Sequence, residues 1–273
     1  MSLLKLLVAS VRDFGLADTL DRLPAYALAP FTRSRLRRRK LAQLSGDGFD
    51  EAHGTDTAAI LLGGERGPSV SDGGHVVSRY ETSSETAIRL ALDSLAVDHS
   101  RFTFVDMGCG KGKPLMVAAS YGFRRLVGVD LSPACIEAAR RNIARYGPEP
   151  IDASRIELRV EDAEAFEFPD DPLVVYLYNP FPQAVLERVV ARLGESLTRN
   201  PREVAIVYVN PTAAVVVARS ALFVRVPTIA DRLPLAARDV PAYQRAAVFV
   251  HRPGAGSVHP SPPVVSQPGG RMA

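Results

Sequence analysis

Three glycines at alternate positions, preceded by an acid, are the residues of this chain whose spacing best fits ligand chemistry. Asp106 follows a run at 102–105 that is rich in β-forming residues, and Gly108, Gly110 and Gly112 lead into a run of helical character. Side chains at these glycines would block either the turn or the approach of a ligand to backbone N–H groups. The pattern therefore predicts a strand, a glycine turn and a helix.

The spacing of the glycines differs from that of a dinucleotide-binding loop, which reads G-x-G-x-x-G. Here the third glycine comes one residue earlier, and Asp106 stands two residues before the first glycine. Its carboxylate would repel a pyrophosphate but can accept hydrogen bonds from an α-ammonium group. The turn therefore suits a ligand with an amino-acid end and a nucleoside end, and we expect S-adenosyl-L-methionine.

Further polar residues follow the next predicted strands. Asp130 ends the strand 126–130, about 20 residues beyond the glycine turn, which is the distance expected for a carboxylate that binds ribose hydroxyls. Asp162 comes just after the alternating strand 156–160. From the glycine turn onward, this ordered series resembles the class I (seven-β-strand) S-adenosylmethionine-dependent methyltransferases.

The resemblance implies an α/β fold with a Rossmann-like, doubly wound sheet of seven strands, one of them antiparallel. It implies that Asp162 lies where the adenine amine is held, and that the end of the fourth strand, 173–178, faces the transferable methyl group. That strand opens into Asn179, Pro180 and Phe181. The later elements are expected as a helix at 183–198 and strands at 204–209, 221–226 and 245–250.

A second resemblance covers about a hundred residues, from Tyr80 to Phe181. Tyr80-Glu81-Thr82, a helix beginning at Ser84 and the glycine turn together resemble the cofactor core of the non-SET histone-lysine methyltransferases, the disruptor-of-telomeric-silencing family. That likeness implies that Glu81 and Thr82 contact the cofactor. Four residues differ from the family pattern, and these are Tyr80, Lys113, Ala163 and Pro180.

Two sets of candidate residues result. The cofactor-binding set is Tyr80, Glu81, Thr82, Asp106, Gly108, Gly110, Gly112, Lys113, Asp130, Asp162 and Asn179, and the catalytic set is Asn179, Pro180 and Phe181.

Methyl transfer from a sulfonium is an in-line displacement, so the enzyme mainly has to align the nucleophile. The side-chain oxygen of Asn179 and the carbonyl of Pro180 could accept N–H bonds from an amine, and Phe181 could wall the pocket. We therefore expect N-methylation of an amine such as a protein lysine. A small molecule or a nucleobase is the alternative acceptor. A nicotinamide-dependent oxidoreductase and a non-catalytic binding protein are the rivals from other classes.

Composition sets broader limits. The 273 residues are 47% hydrophobic with a net charge of +3, which allows one domain with an appendage and requires no nucleic-acid partner. Cys109 and Cys135 cannot form a disulfide framework and are expected to pack, and the five histidines lack metal-ligand spacing, so we expect no metal. No run approaches the ~20 apolar residues of a membrane span, and we expect a cytoplasmic protein.

The remaining segments lie outside the predicted methyltransferase domain. Residues 2–14 have the spacing of an amphipathic helix, and Arg33–Lys40 holds six positive charges in eight residues, a run suited to solvent, an acidic partner or an anionic surface. We divide the chain into a basic helical extension, an irregular covering segment, the methyltransferase domain and a disordered tail, with bounds 1–45, 46–79, 80–252 and 253–273.

Overall fold

A computed structural model of the chain describes residues 47–58, 61–62, 79–80, 82–147, 151–232 and 245–253. The predicted helix at 2–14, the basic run Arg33–Lys40 and Glu81 lie outside these residues, as does almost all of the expected tail. Among the described residues, no helix is both long enough and apolar enough to cross a bilayer.

The described residues form helices alternating with strands. The helices are α1 (Phe49–His53), α2 (Glu85–Asp93), α3 (Lys113–Ala119), α4 (Pro133–Arg145), α5 (Gln183–Arg199), α6 (Ala214–Ala218) and α7 (Ile229–Arg232). The strands are β1 (Leu61–Leu62), β2 (Arg79–Tyr80), β3 (Thr103–Met107), β4 (Arg125–Asp130), β5 (Ile156–Val160), β6 (Leu173–Tyr178), β7 (Val204–Val209), β8 (Val224–Val226) and β9 (Ala246–His251).

Seven of the strands form one sheet in the order β5-β4-β3-β6-β7-β9-β8. Neighbours from β5 to β7 are parallel, whereas β9 runs antiparallel to both β7 and β8. The strand order reverses between β3 and β6, so the loops after these two strands leave the sheet in opposite directions. The crevice at such a switch point, outside the carboxyl ends of the strands, is where ligands bind in doubly wound sheets.

Strand β3 is buried along its whole length because helices cover both faces of the sheet. Phe104 belongs to one apolar cluster, together with Ile88 of α2 and Leu115 of α3. Val105, the next residue, belongs to the other cluster with Leu186 of α5. Successive side chains of a strand point to opposite faces, so a continuous apolar run suits a strand covered on both sides.

The predicted Rossmann-like α/β sheet of seven strands with an antiparallel strand is confirmed. The first strand, predicted at 102–105, is instead Thr103–Met107. Phe102 is not part of it because its N–H closes a 3₁₀ turn on the carbonyl of His99.

The edge strand is also shorter than predicted. It was expected at 221–226 and is observed only as Val224–Val226. The residues before it turn instead, since the N–H of Phe223 bonds to the carbonyl of Ser220.

The covering segment 46–79, expected to be irregular, contains short regular elements among its described residues. Phe49–His53 is a helix, and β1 pairs with β2 in an antiparallel ladder. The Phe49 side chain is buried in the core, and the His53 ring, through Nδ1, hydrogen-bonds the carbonyl of Gly147 at 2.5 Å. The residues around α1 therefore pack onto the domain.

Candidate functional site

The glycine turn after β3 touches the loop after β6. Gly108 has φ +85°, and a Cβ added there would lie 2.6 Å from the Cβ of Pro180. The backbone N–H groups of Gly108 and Cys109 both donate to the carbonyl of Val129, at 2.7 and 2.9 Å. Only glycine satisfies both the left-handed backbone and this close approach. The structure thus brings two predicted site segments together at the switch point, with Phe181 partly buried against the core beside them.

The end of the turn packs against the following helix layer. Gly112 has φ +86° and directly precedes α3, and a Cβ there would lie 3.1 Å from the Cβ of Ala139 on α4. The third glycine therefore allows α3 and α4 to pack closely, a role that glycine spacing alone does not distinguish from ligand contact.

Asp130, at the end of β4, joins the glycine turn to the start of α4. Its Oδ2 accepts from the backbone N–H of Gly110 at 2.9 Å, and its Oδ1 accepts from that of Ser132 at 2.8 Å. The Ser132 hydroxyl in turn caps α4 by accepting from the N–H of Cys135. These bonds fix the orientation of the carboxylate, and a carboxylate oxygen has capacity for further donors such as ribose hydroxyls.

Asp106 has a buried carboxyl oxygen with no hydrogen-bond partner. The residue is 2% exposed, and no donor among the described residues reaches Oδ2. Burial raises the pKa of Asp106 well above its ordinary value, and the nearby Asp130 carboxylate raises it further. An unpaired buried acceptor costs free energy, so the site favours a ligand that brings N–H donors or a positive charge. The α-ammonium group of the predicted cofactor meets that requirement.

Two lysines of the glycine turn are neutralised by acids from the segment around α1. The Lys113 side chain, 1% exposed, forms an ion pair with Asp47 and lies 4.6 Å from the ring centroid of Phe49. Lys111 pairs with Asp56 at 3.1 Å. The Lys113 side chain is thus engaged within the protein, which does not favour its predicted role as a cofactor ligand. Both ammonium groups are paired with acids of the protein, so neither is available to bind a pyrophosphate.

The segment 47–58 is also tied to the domain through its backbone. Asn142 of α4 accepts from the N–H of Asp56 at 3.0 Å and donates to the carbonyls of Asp56 and Lys111, at 3.2 and 3.0 Å. Asp50 accepts hydrogen bonds from the hydroxyls of Thr55 and Thr57 and from two backbone N–H groups. The segment is therefore a fixed neighbour of the glycine turn.

The Thr82-Ser83 segment contacts β6 next to the position of Asp106. The hydroxyl of Ser83 is 2.7 Å from that of Tyr176, which pairs in register with Asp106 on the adjacent strand. Thr82 is buried. Only the backbone of Tyr80 is described, so the structure says nothing of its predicted side-chain contact.

Asp162 follows β5, which is the neighbour of the strand that ends at Asp130. Its Oδ1 accepts from the N–H of Glu164 at 3.0 Å, and its backbone carbonyl accepts from the N–H of Ala165 at 2.9 Å. The two bonds close a compact turn. The N–H of Glu161 donates to the carbonyl of Asp130 at 3.2 Å. The predicted adenine and ribose residues are therefore neighbours across two parallel strands.

Asn179 directly follows β6 in a left-handed conformation, with φ +42°. Its Oδ1 accepts from the hydroxyl of Tyr208 at 3.3 Å and from that of Thr212 at 2.5 Å. Two protein hydroxyls therefore already engage this oxygen, which does not favour its predicted role as the acceptor of a substrate N–H. The predicted place of Asn179 beside the glycine turn is unaffected.

Sequence reasoning missed Tyr208 and Thr212 as site residues. A signal was present, since Asn210-Pro211 repeats the Asn-Pro dipeptide at the end of the neighbouring strand, and Asn210 also has a positive φ of +51°. Two such strand ends side by side indicate a shared loop geometry.

The other chemical groups near the turn point to packing. Neither Cys109 nor Cys135 forms a disulfide and both are buried, and burial raises the pKa of the Cys109 thiol well above its ordinary value, which disfavours a thiolate. Within the described ranges, no group of three His, Cys, Asp or Glu side chains is arranged to hold a metal ion.

Residues 104–200 match the model of a protein family described as "Methyltransferase domain". The matched region contains Asp106, the glycine turn, Asp130, Asp162 and Asn179. The prediction of a methyltransferase domain is thereby confirmed for this region of the chain.

Curated relatives of the chain are ribosomal protein L11 methyltransferases. The protein of Dechloromonas aromatica is 28% identical over 143 residues, which cover 51% of this chain and 47% of the relative. The protein of Tolumonas auensis is 36% identical over 83 residues, which cover 30% of this chain and 26% of the relative. The chain thus spans about half the length of these relatives or less.

Solved structures with a similar fold include a glycopeptide N-methyltransferase complexed with S-adenosyl-L-methionine. It is 14% identical with a TM-score of 0.46, covering 67% of this chain and 100% of that one. The ribosomal protein L11 methylase of Lactobacillus delbrueckii subsp. bulgaricus is 15% identical with a TM-score of 0.40, covering 63% and 81%. The strand order of this chain, rather than this likeness, defines its fold.

Proposed function

We propose that this chain is an S-adenosyl-L-methionine-dependent methyltransferase that N-methylates an amine, such as a protein lysine. The observation that carries the proposal is the buried, unpartnered Oδ2 of Asp106 beside a glycine turn whose lysines are already paired. Such a site attracts a cationic ligand. The methyltransferase-domain match over residues 104–200 gives the ligand its chemistry.

In this proposal each residue group has a binding task. The Asp106 carboxylate receives the α-ammonium group, Asp130 the ribose hydroxyls and Asp162 the adenine amine. The bare glycine turn lets the ligand approach the backbone. When bound, S-adenosyl-L-methionine supplies an electrophilic sulfonium methyl group.

Transfer then depends on how this chain orients the acceptor. Among the described residues, no hydrogen-bond donor reaches the Pro180 carbonyl, so that oxygen can accept an N–H of the amine. Phe181 offers an apolar wall next to it. An amine that arrives deprotonated needs no general base, and orientation of well-placed reactants can supply up to ~7–11 kcal/mol.

The acceptor class draws support from the relatives, which are named for a protein acceptor. The finer likeness to the non-SET histone-lysine methyltransferases stays a prediction, because the relatives compared above bear a different name. The segment bounds proposed from the sequence, with the domain at 80–252, also stay predictions.

A nicotinamide-dependent oxidoreductase is the rival that the site chemistry disfavours. A dinucleotide would place a doubly anionic pyrophosphate near the buried carboxyls of Asp106 and Asp130. The lysines that could compensate are held by Asp47 and Asp56.

Calorimetry distinguishes the proposed methyltransferase from a nicotinamide-dependent oxidoreductase. Titration of S-adenosylhomocysteine should give saturable heat, and titration of nicotinamide adenine dinucleotide should give none. The reverse result would replace the proposal with the oxidoreductase. Incubation with methyl-labelled S-adenosylmethionine and a cell lysate, divided into protein, nucleic-acid and small-molecule fractions, then identifies the acceptor class. Label in the protein fraction supports a protein amine, whereas label confined to either other fraction overturns it.

A further inference from the structure

The loops after β6 and β7 are joined by a small hydrogen-bonded cluster around Asn179. The two strands are parallel neighbours, with Tyr178 opposite Val209 at their carboxyl ends. Tyr208 reaches Asn179 from within β7, and Thr212 reaches it from the loop that follows. The candidate catalytic loop is therefore braced by the adjacent strand end.

The bonds in this cluster have a defined polarity. The Tyr208 hydroxyl accepts from the backbone N–H of Ala213 at 3.4 Å and lies 3.3 Å from Asn179 Oδ1. Tyr208 is 1% exposed, and burial raises the pKa of its hydroxyl, so the phenol keeps its proton. That proton is donated to Asn179 Oδ1, because the carbonyl oxygen of an amide can only accept.

Thr212 adds the second donor at 2.5 Å. In the orientation that the structure shows, both hydroxyls are bound to Oδ1, so the NH₂ group of the carboxamide lies outside the cluster. Asn179 Nδ2 has no hydrogen-bond partner in the part of the chain that the structure describes, and the residue is only partly buried. The orientation of the amide is thus set from inside the protein.

We propose that Thr212 is a positioning residue which, together with Tyr208, holds the Asn179 carboxamide with its NH₂ group free to donate to an oxygen of the methyl acceptor. This rests on the proposed methyltransferase function and adds to it. The acceptor amine then has a carbonyl or carboxylate oxygen beside it, as an α-amine does, which narrows the amine class of the proposed function away from the ε-amine of lysine. Pro180 accepts an N–H of the amine and Asn179 donates to that oxygen, so the two residues hydrogen-bond to opposite ends of one short polar group.

The test compares Thr212→Val, which removes the donor at nearly constant volume, with Thr212→Ser, which restores the hydroxyl. The readouts are the initial rate of methyl-label transfer into the fraction that the wild-type protein labels, and the affinity for S-adenosylhomocysteine by calorimetry. Thr212→Val should lower the rate at saturating cofactor by about fivefold, since one hydrogen bond contributes roughly 1 kcal/mol and tenfold corresponds to about 1.4 kcal/mol. Its cofactor affinity should stay within about twofold, and Thr212→Ser should recover the rate.

Asn179→Asp tests the polarity directly. The aspartate keeps an oxygen for both hydroxyls but replaces the NH₂ donor with a second acceptor, so transfer should be lost while cofactor affinity is kept. Full activity of Asn179→Asp would overturn the donor role. An unchanged rate in Thr212→Val, with loss in Asn179→Ala, would overturn the positioning role. A wild-type protein that binds cofactor but labels no fraction would instead refute the proposed function, and the inference with it.

Discussion

Asp106 shows how a single side chain can link folding to ligand binding. Its pKa is higher in the folded chain than in the unfolded chain, mainly because of burial. Ionising it therefore costs folding free energy as the pH rises above the ordinary value of 3.8 toward the raised folded value. A bound cation offsets that cost, so affinity for the cofactor should rise with pH over the same window.

Replacement of Asp106 by Asn separates the two effects. Without a charge to bury, the ligand-free variant should unfold at a higher temperature than the wild type near neutral pH. Its affinity for S-adenosylhomocysteine should fall by about 10–100-fold, because a hydrogen bond to a charged group contributes roughly 1.5–3 kcal/mol. Calorimetry across pH measures both the loss and its pH dependence, which should be flat in the variant. An Asn variant that binds as tightly as the wild type would remove Asp106 from the binding site.

Gly108 offers a second residue-level prediction, with a matched control in the same molecule. Gly108→Ala introduces both a strained φ and a clash with Pro180, whereas Gly122→Ala introduces only the strain, since φ there is +74° and no atom lies within 4 Å of the added Cβ. Gly122→Ala should cost about 1–2 kcal/mol of unfolding free energy. Gly108→Ala should cost roughly 1–3 kcal/mol more. Urea denaturation measures both, and equal losses would mean that the Pro180 loop moves freely.

At the scale of elements, α1 and its flanking residues determine the charge of the glycine turn. Asp47 accepts from Lys113 and also from the backbone N–H of Glu85 at 3.1 Å, at the start of α2. One carboxylate thus bridges the covering segment, the turn and a helix. Because Lys113 is buried, its ammonium depends on that single carboxylate.

Removal of the acid alone should therefore be more harmful than removal of the pair. Asp47→Asn leaves a buried ammonium unpaired and should cost about 3–5 kcal/mol of unfolding free energy, whereas the double change with Lys113→Met should cost less. Glu203→Gln is the surface control, because the Arg101–Glu203 pair is exposed and should contribute at most about 1 kcal/mol. Chemical denaturation of these three variants, together with Lys113→Met alone, completes the cycle. A double variant no more stable than Asp47→Asn would show that Lys113 does not depend on its partner.

At the scale of the whole molecule, the reversal of strand order determines where all these residues meet. β3 and β4 deliver Asp106 and Asp130, and β6 delivers Asn179 on the other side of the switch point. The ligand would contact several elements at once, so its binding should stabilise the whole domain.

Thermal unfolding tests this coupling. S-adenosylhomocysteine at about 100 times its dissociation constant should add roughly 2.7 kcal/mol to the unfolding free energy. For a domain of this size, that corresponds to an increase of about 5–10 °C in the unfolding midpoint. Nicotinamide adenine dinucleotide at the same concentration should leave the midpoint unchanged. A shift with the dinucleotide alone would contradict the electrostatic interpretation of the site.

Much of the fold could be predicted because its signals are local. Apolar runs such as 173–178 and 204–209 gave strands with the observed bounds, and Ser84, where a helix was expected to begin, is observed to cap it. Errors occurred where a turn overrode propensity, at Phe102 and before Val224. The irregular composition of 46–79 also concealed α1, whose five residues carry too little periodicity to detect.

The sequence by itself determined the order of strands and helices, the glycine turn and the acids that follow the strands, because backbone propensity and side-chain period act over a few neighbouring residues. Tertiary structure alone decided which charges and amides remain available to a ligand. Lys113 meets Asp47 across 66 residues of sequence, and Asn179 meets Thr212 across 33. Contacts at such separations depend on how the sheet and its helices pack, and no local pattern encodes them.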